Sequence, residues 1–532
     1  MINRDLDRIG LRNWIEYTIG SSGAAAWRFV ERTPSLRHLA NRQLINRAVA
    51  KLPARPYPFS TLSPYTSWSS LTDRTYWSRH LPPTPSAGEG LPAPADTARL
   101  FAREGETIHC PRSTVLFAYF AQWFTDGFVR GDSTAPRDPA VNTSPHDIDL
   151  NQVYGLTPAV TARLRTFSGG LLKTQRINDG EFPPYLCSDG EIKPEFEGLS
   201  VVRFADMPRG MRDTLFAMGS DRANVQIGFT MINVLFLREH NRIARLLAGR
   251  HPGWDDERLF QTARNIAIVL LLKIMLEEYI NHITAYRFRF FTDPPAFSKA
   301  DWQRTNHASV EFNLVYRWHS LLPSTLLVAG LNLPLLSTLA ANNLLTEHGL
   351  GQVFEDSSRQ RAGRIGLFNT APDLLHIEAL SIAEARTLHL ASFNDYRACC
   401  GFPRLTSFGQ ISADPRVRRE LSALYRSVDD VEFYVGLFAE DPLPGSILPP
   451  LMQRLIAIDA FSQAFTNPLL APLVFTPATF SPLGMEIIDR TSSLSDLVNR
   501  NIPEQPRERT VSMTARDAAY DPKRTRSARP RR

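Results

Sequence analysis

The sequence predicts a mainly α protein, one large helical domain with short amphipathic helices ahead of it. Three observations predict this. Two long helical patterns, Gly228 to Leu247 and Asp255 to Ile283, follow one another across the turn His-Pro-Gly-Trp at 251–254. A third, Thr114 to Val129, is amphipathic and rich in aromatic residues. Strand signals are few and short, and no internal repeat or clean linker interrupts residues 100 to 500.

Taken in order, residues 1–51 read as two or three short helices separated by Ser-Ser-Gly at 21–23 and by Thr33-Pro34. On the first, Asp5, Arg8, Arg12 and Glu16 share one face, and Leu11, Trp14, Ile15 and Ile19 share another. Trp27, Phe29 and Val30 give the second an apolar side, and Leu36, Ala40, Leu44 and Ala48 run down the third. Such helices either lie in a membrane interface or pack on the protein's own body. Residues 52–97 are rich in Pro, Ser and Thr and read as an extended, wrapping connection. The main helical body spans residues 52–500, and Asp255 and Asp256 mark a dipole-compatible start for its second long helix. The tail 506–532 is polar and Arg-rich and reads as disordered.

The chain has 532 residues and a net charge of +6. Residues 1–60 and 507–532 each carry a net +6, which leaves a net −6 on the body between them. That distribution excludes a uniformly basic nucleic-acid binder. Four cysteines, two of them adjacent, exclude a disulfide framework and a cysteine zinc site. The N-terminus has no apolar stretch of the secretory kind. The best apolar run, Ile266 to Leu272, is too short to span a membrane. The expectation is a protein that is not secreted, either cytoplasmic or seated peripherally on the inner face of a membrane, in a reducing compartment.

Two segments carry chemistry. In Glu311-Phe-Asn-Leu-Val-Tyr-Arg-Trp-His-Ser-Leu-Leu-Pro323, Tyr316 and His319 stand at i and i+3, which on a helix puts both on one face. A histidine there can bind a haem iron, or the pair can be ordinary packing. Arg238-Glu-His-Asn-Arg242 puts dense charge on an apolar helix and reads as a network that fastens neighbouring helices.

Together these segments resemble the animal-type haem peroxidase superfamily. EFNLVYRWHSLLP is similar to the proximal haem helix of its cyclooxygenase branch, and STVLFAYFAQWFT at 113–125 is similar to the distal helix. LFLREHNRIARLL with HPGWDDERLFQTAR, DLNQVYGLT, RQRAGR, SFNDYR, ELSALYRSVDDVEFY and PATFSPLG continue the match in order over roughly residues 40–490. The resemblance implies haem b as cofactor, His319 as its axial iron ligand with Trp318 beside it, and Tyr316 as the residue whose radical takes hydrogen from an unsaturated fatty acid before O₂ adds. A peroxide would activate the haem. The resemblance also places Tyr279, Ile283, Tyr286, Phe312 and Ser462 along the fatty-acid channel, with Ile280 and Thr284 on its wall and Arg47 near the carboxylate. An ungapped alignment puts Ala48 there instead, and Arg47 also reads as part of a solvated basic face. Phe465 replaces a glycine at the channel's far end and is expected to shorten or redirect it.

The departures are on the distal side. Gln122 is kept, but Asp126 stands where the family has its distal histidine, the group that shuttles a proton during O–O cleavage, a step typically worth about 10²–10⁴-fold. Arg222 falls at the distal arginine of mammalian peroxidases, where with Gln122 it would polarise peroxide or O₂; otherwise it pairs with a carboxylate. Some members bind calcium; Asp126, Asp147, Asp149 and Asn151 would be the ligands here, with Pro145 in place of a threonine ligand. The family's disulfide-rich module is absent, which fits a bacterial-type member. Residues 1–51 occupy the place of the family's membrane-binding helices. Three functions follow: a fatty-acid dioxygenase, a general haem peroxidase using H₂O₂, and a haem- or lipid-binding relative without turnover. The sequence leaves the oligomeric state open.

Overall fold

A computed structural model of the chain describes residues 2–52, 56–85, 90–132, 137–178, 180–502 and 508–515. Helix makes up 53% of it, and strands among the described residues form only two-stranded pairs, such as His109–Thr114 with Arg361–Gly363. The two long helical patterns become helices Ile227–Arg250 and Asp256–Ile274, which pack on each other at the centre. Asp255 starts the second by accepting from the Arg258 amide at 2.8 Å. Val115–Asp126 crosses the first, and Pro477–Asp489 lies on the second.

The pattern that reads as continuous helix to Ile283 changes character after Ile274. Met275–Ile280 is a π-helical turn, followed by a short α-turn Asn281–Ile283. The Asn281 side-chain Nδ2 donates to the carbonyls of Leu276 (3.3 Å) and Glu277 (2.9 Å), satisfying groups that the wider turn frees. The whole stretch Asp256–Ile283 is long and apolar enough to cross a membrane, yet 78% of its apolar window is buried inside the body, as a core helix is.

The charged run on Ile227–Arg250 is a fastening network. Glu239 takes Arg242, Arg500 and Asn501; His240 bonds Tyr154 (2.9 Å) and the Gly170 carbonyl (2.9 Å); Asn241 brackets Leu172.

The N-terminal segment forms four helices where two or three are expected: Ile2–Ile9, Leu11–Ser21, Ala24–Arg32 and Pro34–Val49. Gly10, at φ 77°, breaks the first expected helix in two. Arg8 is thereby turned inward: it is fully buried beside the Arg397–Glu440 pair and donates to the Asp441 carbonyl. The face that leaves the body carries Leu11, Ile15, Ile19, Phe29 and Leu39.

The tail differs from expectation in its first part. Residues 508–515 are ordered against the body: Val511 and Met513 are buried, the Thr114 amide donates to the Met513 carbonyl (3.1 Å), and the Ala515 amide donates to Arg112 (2.8 Å). Residues 516–532 lie outside the described residues.

Candidate active site

Helix Val310–Val315 starts at Ser309, whose hydroxyl accepts from the Phe312 amide (3.1 Å), and it ends one residue before Tyr316. Tyr316 and His319 are therefore not on one continuous helix, as their spacing implies. The chain turns through Tyr316–Trp318, with the Trp318 amide on the Tyr316 carbonyl (2.9 Å), and a new 3₁₀ turn begins at His319. The turn is clamped from behind. A Cβ at Gly363 would collide with the Ser320 carbonyl, so only glycine lets that strand close on it. Asn369 donates to the same carbonyl (3.3 Å), and Arg103 donates to Leu322 (2.8 Å).

The turn sends the two side chains apart. Tyr316 points inward; its ring lies 5.0 Å from Phe312 and 4.8 Å from Trp318. Phe117 bridges Trp318 to Tyr279, which the π-turn presents from the other side. The hydroxyls of Tyr316 and Tyr279 are both buried and lie close enough to act on each other, and neither makes a well-formed hydrogen bond among the described residues. Burial raises both phenols above their ordinary pKa, so they keep their hydrogen at neutral pH.

His319 points the other way and keeps 18% of its side chain exposed. Its Nδ1 lies 3.2 Å from Oε1 of Glu378, and among the described residues its Nε2 has no hydrogen bond. Glu378 is buried and also accepts from Thr370 (2.8 Å) and Tyr434 (2.6 Å). An imidazole held at one nitrogen by a carboxylate, with the other nitrogen open, is the usual form of a metal-ligating histidine. This donor set fits an axial haem ligand.

On the distal helix, Gln122 is exposed and accepts from Gln226 (2.9 Å), whose own Oε1 caps Gly228 (2.6 Å) at the head of helix Ile227–Arg250. Asp126 is buried and bound to Arg222 (2.8 Å), with Ser220 donating at 3.4 Å. Arg222 thus shows its alternative, a pairing with a carboxylate, Asp126, while Gln122 is bonded to Gln226. The calcium ligands do not fit. Asp126 is neutralised by Arg222 and Asp147 by Arg74 (2.9 Å), Asp149 holds Asn151, and no metal-binding group forms among the described residues.

A cavity of about 210 Å³ opens between the N-terminal helices and the body. Ile280, Ile283, Tyr286, Leu44 and Phe461 line it, and Arg47, Lys51, Arg454 and Glu16 stand at its polar end. Tyr286 packs against the backbone of Gly20, where a Cβ would collide with its ring. Arg47 is half-exposed and is already paired with Glu16, which also takes Lys51 (3.2 Å). Arg454 was not expected from sequence; it bonds the Cys400 carbonyl (3.1 Å) and Asn13 (3.2 Å), and burial lowers both its pKa and that of Lys51. Tyr279, Phe312, Ser462 and Phe465 do not line this cavity. Ser462 turns its hydroxyl back onto the carbonyls of Ile458 (2.6 Å) and Asp459 (3.0 Å), while Phe465 packs its ring 4.3 Å from Phe297. The far-end position of Phe465 is therefore filled by an aromatic pair.

Residues 127–513 match the model of the animal haem peroxidase family. The chain belongs to that family. It is 33% identical over 494 residues to the horse (Equus caballus) prostaglandin G/H synthase 2, covering 90% of this chain and 79% of the relative. It is 34% identical over 494 residues to the rat (Rattus norvegicus) prostaglandin G/H synthase 1, with the same coverage. Among solved structures, a fatty acid α-dioxygenase of Oryza sativa superposes with a TM-score of 0.70 at 16% identity, covering 98% of this chain and 96% of that one. Peroxidase A of Dictyostelium discoideum superposes with a TM-score of 0.69 at 19% identity, covering 87% and 100%. These two share the fold. The family is one of haem-dependent oxidoreductases that includes fatty-acid oxygenases and peroxidases, and haem is its cofactor.

Proposed function

We propose that the protein is a fatty-acid dioxygenase in which Tyr316 removes hydrogen from an unsaturated chain and His319 holds the haem iron. The observation that carries this reading is the pairing of Tyr316 and His319 on either side of one clamped turn. The phenol is buried among aromatic rings beside Tyr279, and the imidazole is backed at Nδ1 by the Glu378 carboxylate with its Nε2 open. Haem, when bound and supplied with peroxide, provides a strong one-electron oxidant. With haem bound, Tyr316 would give up its hydroxyl hydrogen, electron and proton both passing to the oxidant, and would hold the resulting phenoxyl radical beside Tyr279. The phenoxyl oxygen then takes a hydrogen atom from the substrate, O₂ adds to the carbon radical, and the resulting peroxyl takes the hydrogen back from Tyr316. The product is a hydroperoxide and the tyrosyl radical is regenerated. Phe312, Trp318 and Phe117 exclude water around the phenol.

The 210 Å³ cavity is the entrance, with the acid's carboxylate drawn to Arg47, Lys51 and Arg454 and its chain passing Tyr286 and Ile283. The exposed residues Leu11, Ile15, Ile19, Phe29 and Leu39 support a seat on a membrane surface, from which a fatty acid enters directly. The basic N-terminal segment favours anionic headgroups.

Oxygen uptake by the haem-loaded protein with linoleate tests the reading. Uptake is expected, and Tyr316→Phe is expected to abolish it with the haem spectrum unchanged. Uptake equal to wild type in that variant overturns the assignment, and H₂O₂-driven guaiacol oxidation without any uptake favours a general peroxidase.

A further inference from the structure

We propose that Glu378 tunes the axial ligand, acting as an anionic acceptor that draws on the Nδ1 hydrogen of His319 and makes Nε2 an electron-rich donor to iron. This rests on His319 being the axial ligand. The geometry is specific. Glu378 lies on helix Leu375–Thr387, is 1% exposed, and has no ion-pair partner among the described residues except His319. Its Oε1 is shared between His319 (3.2 Å) and Thr370 (2.8 Å), and its Oε2 accepts from Tyr434 (2.6 Å). A buried carboxylate without a cation is costly unless its oxygens are satisfied, and here three side chains satisfy it. Its negative charge is not cancelled by an arginine, as that of Asp126 is, so it falls on the imidazole. Hydrogen bonding beyond the axial ligand is one of the protein's levers on haem iron, and an electron-rich ligand stabilises the ferric state.

Glu378 is thus a positioning and tuning residue, and its role is read from the iron. The haem-loaded full chain is measured by spectroelectrochemistry and, in the ferrous form, by resonance Raman. Glu378→Gln is expected to shift the reduction equilibrium toward ferrous iron at least tenfold, about 60 mV for one electron, and to lower the iron–histidine stretching frequency. Thr370→Val removes the competing donor on Oε1 and leaves more charge for His319, so both readouts are expected to move the opposite way. This second variant keeps the test decisive where Glu378→Gln does not fold. A potential and frequency equal to wild type in whichever variants fold overturn the proposal. A wild-type protein with no iron–histidine stretch, and a spectrum unchanged in His319→Ala, overturn the axial assignment beneath it.

Discussion

Two buried carboxylates on elements that the motifs assign to opposite sides of haem keep opposite company. Glu378 meets an imidazole and two hydroxyls, and its charge is left to act on His319. Asp126 meets the guanidinium of Arg222, and its charge is spent there. On the proposed reading the same chemical group polarises the imidazole on one side and is half of an ion pair on the other. The difference explains how the family's distal histidine can be missing here without emptying the site. The helix assigned to the distal side is tied by Asp126–Arg222 and Gln122–Gln226.

The largest expected effect breaks the proximal half. His319→Ala removes the imidazole that Glu378 supports, and loss of the haem absorbance band together with all oxygen uptake is expected. A retained, unchanged spectrum counts against the comparison. Next comes the distal half. Arg222→Gln strands Asp126 without its cation, and a lower denaturation midpoint is expected, a loss of roughly 1–3 kcal/mol. The double variant Asp126→Asn with Arg222→Gln is expected to recover most of it. If the single and double variants are equally destabilised, the ion pair is not what holds the distal side.

A third carboxylate, Glu16, extends the comparison to the cavity mouth. It accepts both Arg47 and Lys51, so a fatty-acid carboxylate must compete with it. Glu16→Gln is expected to lower KM for a free fatty acid several-fold and to leave a methyl ester unaffected. Arg454→Gln is expected to raise KM for the acid, and Arg47→Gln, half-exposed, to change it least.

The last effect, on stability alone, belongs to a carboxylate with neither arginine nor imidazole bound to it among the described residues. Glu278, half-buried in the π-turn and held by the Leu494 amide (2.6 Å), has its pKa pushed up to about 7, with desolvation of its carboxyl the largest cause. Its folded-state pKa lies above the unfolded value, so the folded state keeps its proton where the unfolded state has lost it. Stability from this group therefore falls as pH rises from about 4.5 to 7. The buried histidines His240 (pKa about 4) and His146 (about 3) act in the opposite sense as pH falls below 6.5, so the wild-type curve alone is not diagnostic. Against Glu278→Gln, the wild type is expected to lose stability between pH 5 and 7 by roughly 1.4 kcal/mol per pH unit at most. Parallel curves refute the prediction.

Much of this was legible in the sequence, for physical reasons that differ by element. The long helices announce themselves because a 3.6-residue apolar period is a local property. The Tyr316–His319 pair stands out as a candidate, and the charged run on the central helix as a fastening network, because their motifs are local too. Glu378 was not, because it sits in an unremarkable amphipathic stretch 59 residues from His319 and only folding brings them together. The π-turn at Met275–Ile280 leaves no mark on a helical pattern, and Gln226 reads as an ordinary polar residue ahead of a helix. The break at Gly10 and the reversed face of Arg8 follow from one backbone angle. Residues 508–515 did carry a signal, the alternation of buried Val511 and Met513 with the more exposed Ser512 and Thr514, hidden within an arginine-rich tail.

The central claim is that Tyr316 holds the oxidising equivalent. Electron paramagnetic resonance of the haem-loaded protein mixed with peroxide tests it most directly. A tyrosyl signal is expected that decays when linoleate is added, in step with oxygen uptake, and that is lost in Tyr316→Phe. The same signal and the same decay in Tyr316→Phe would contradict it.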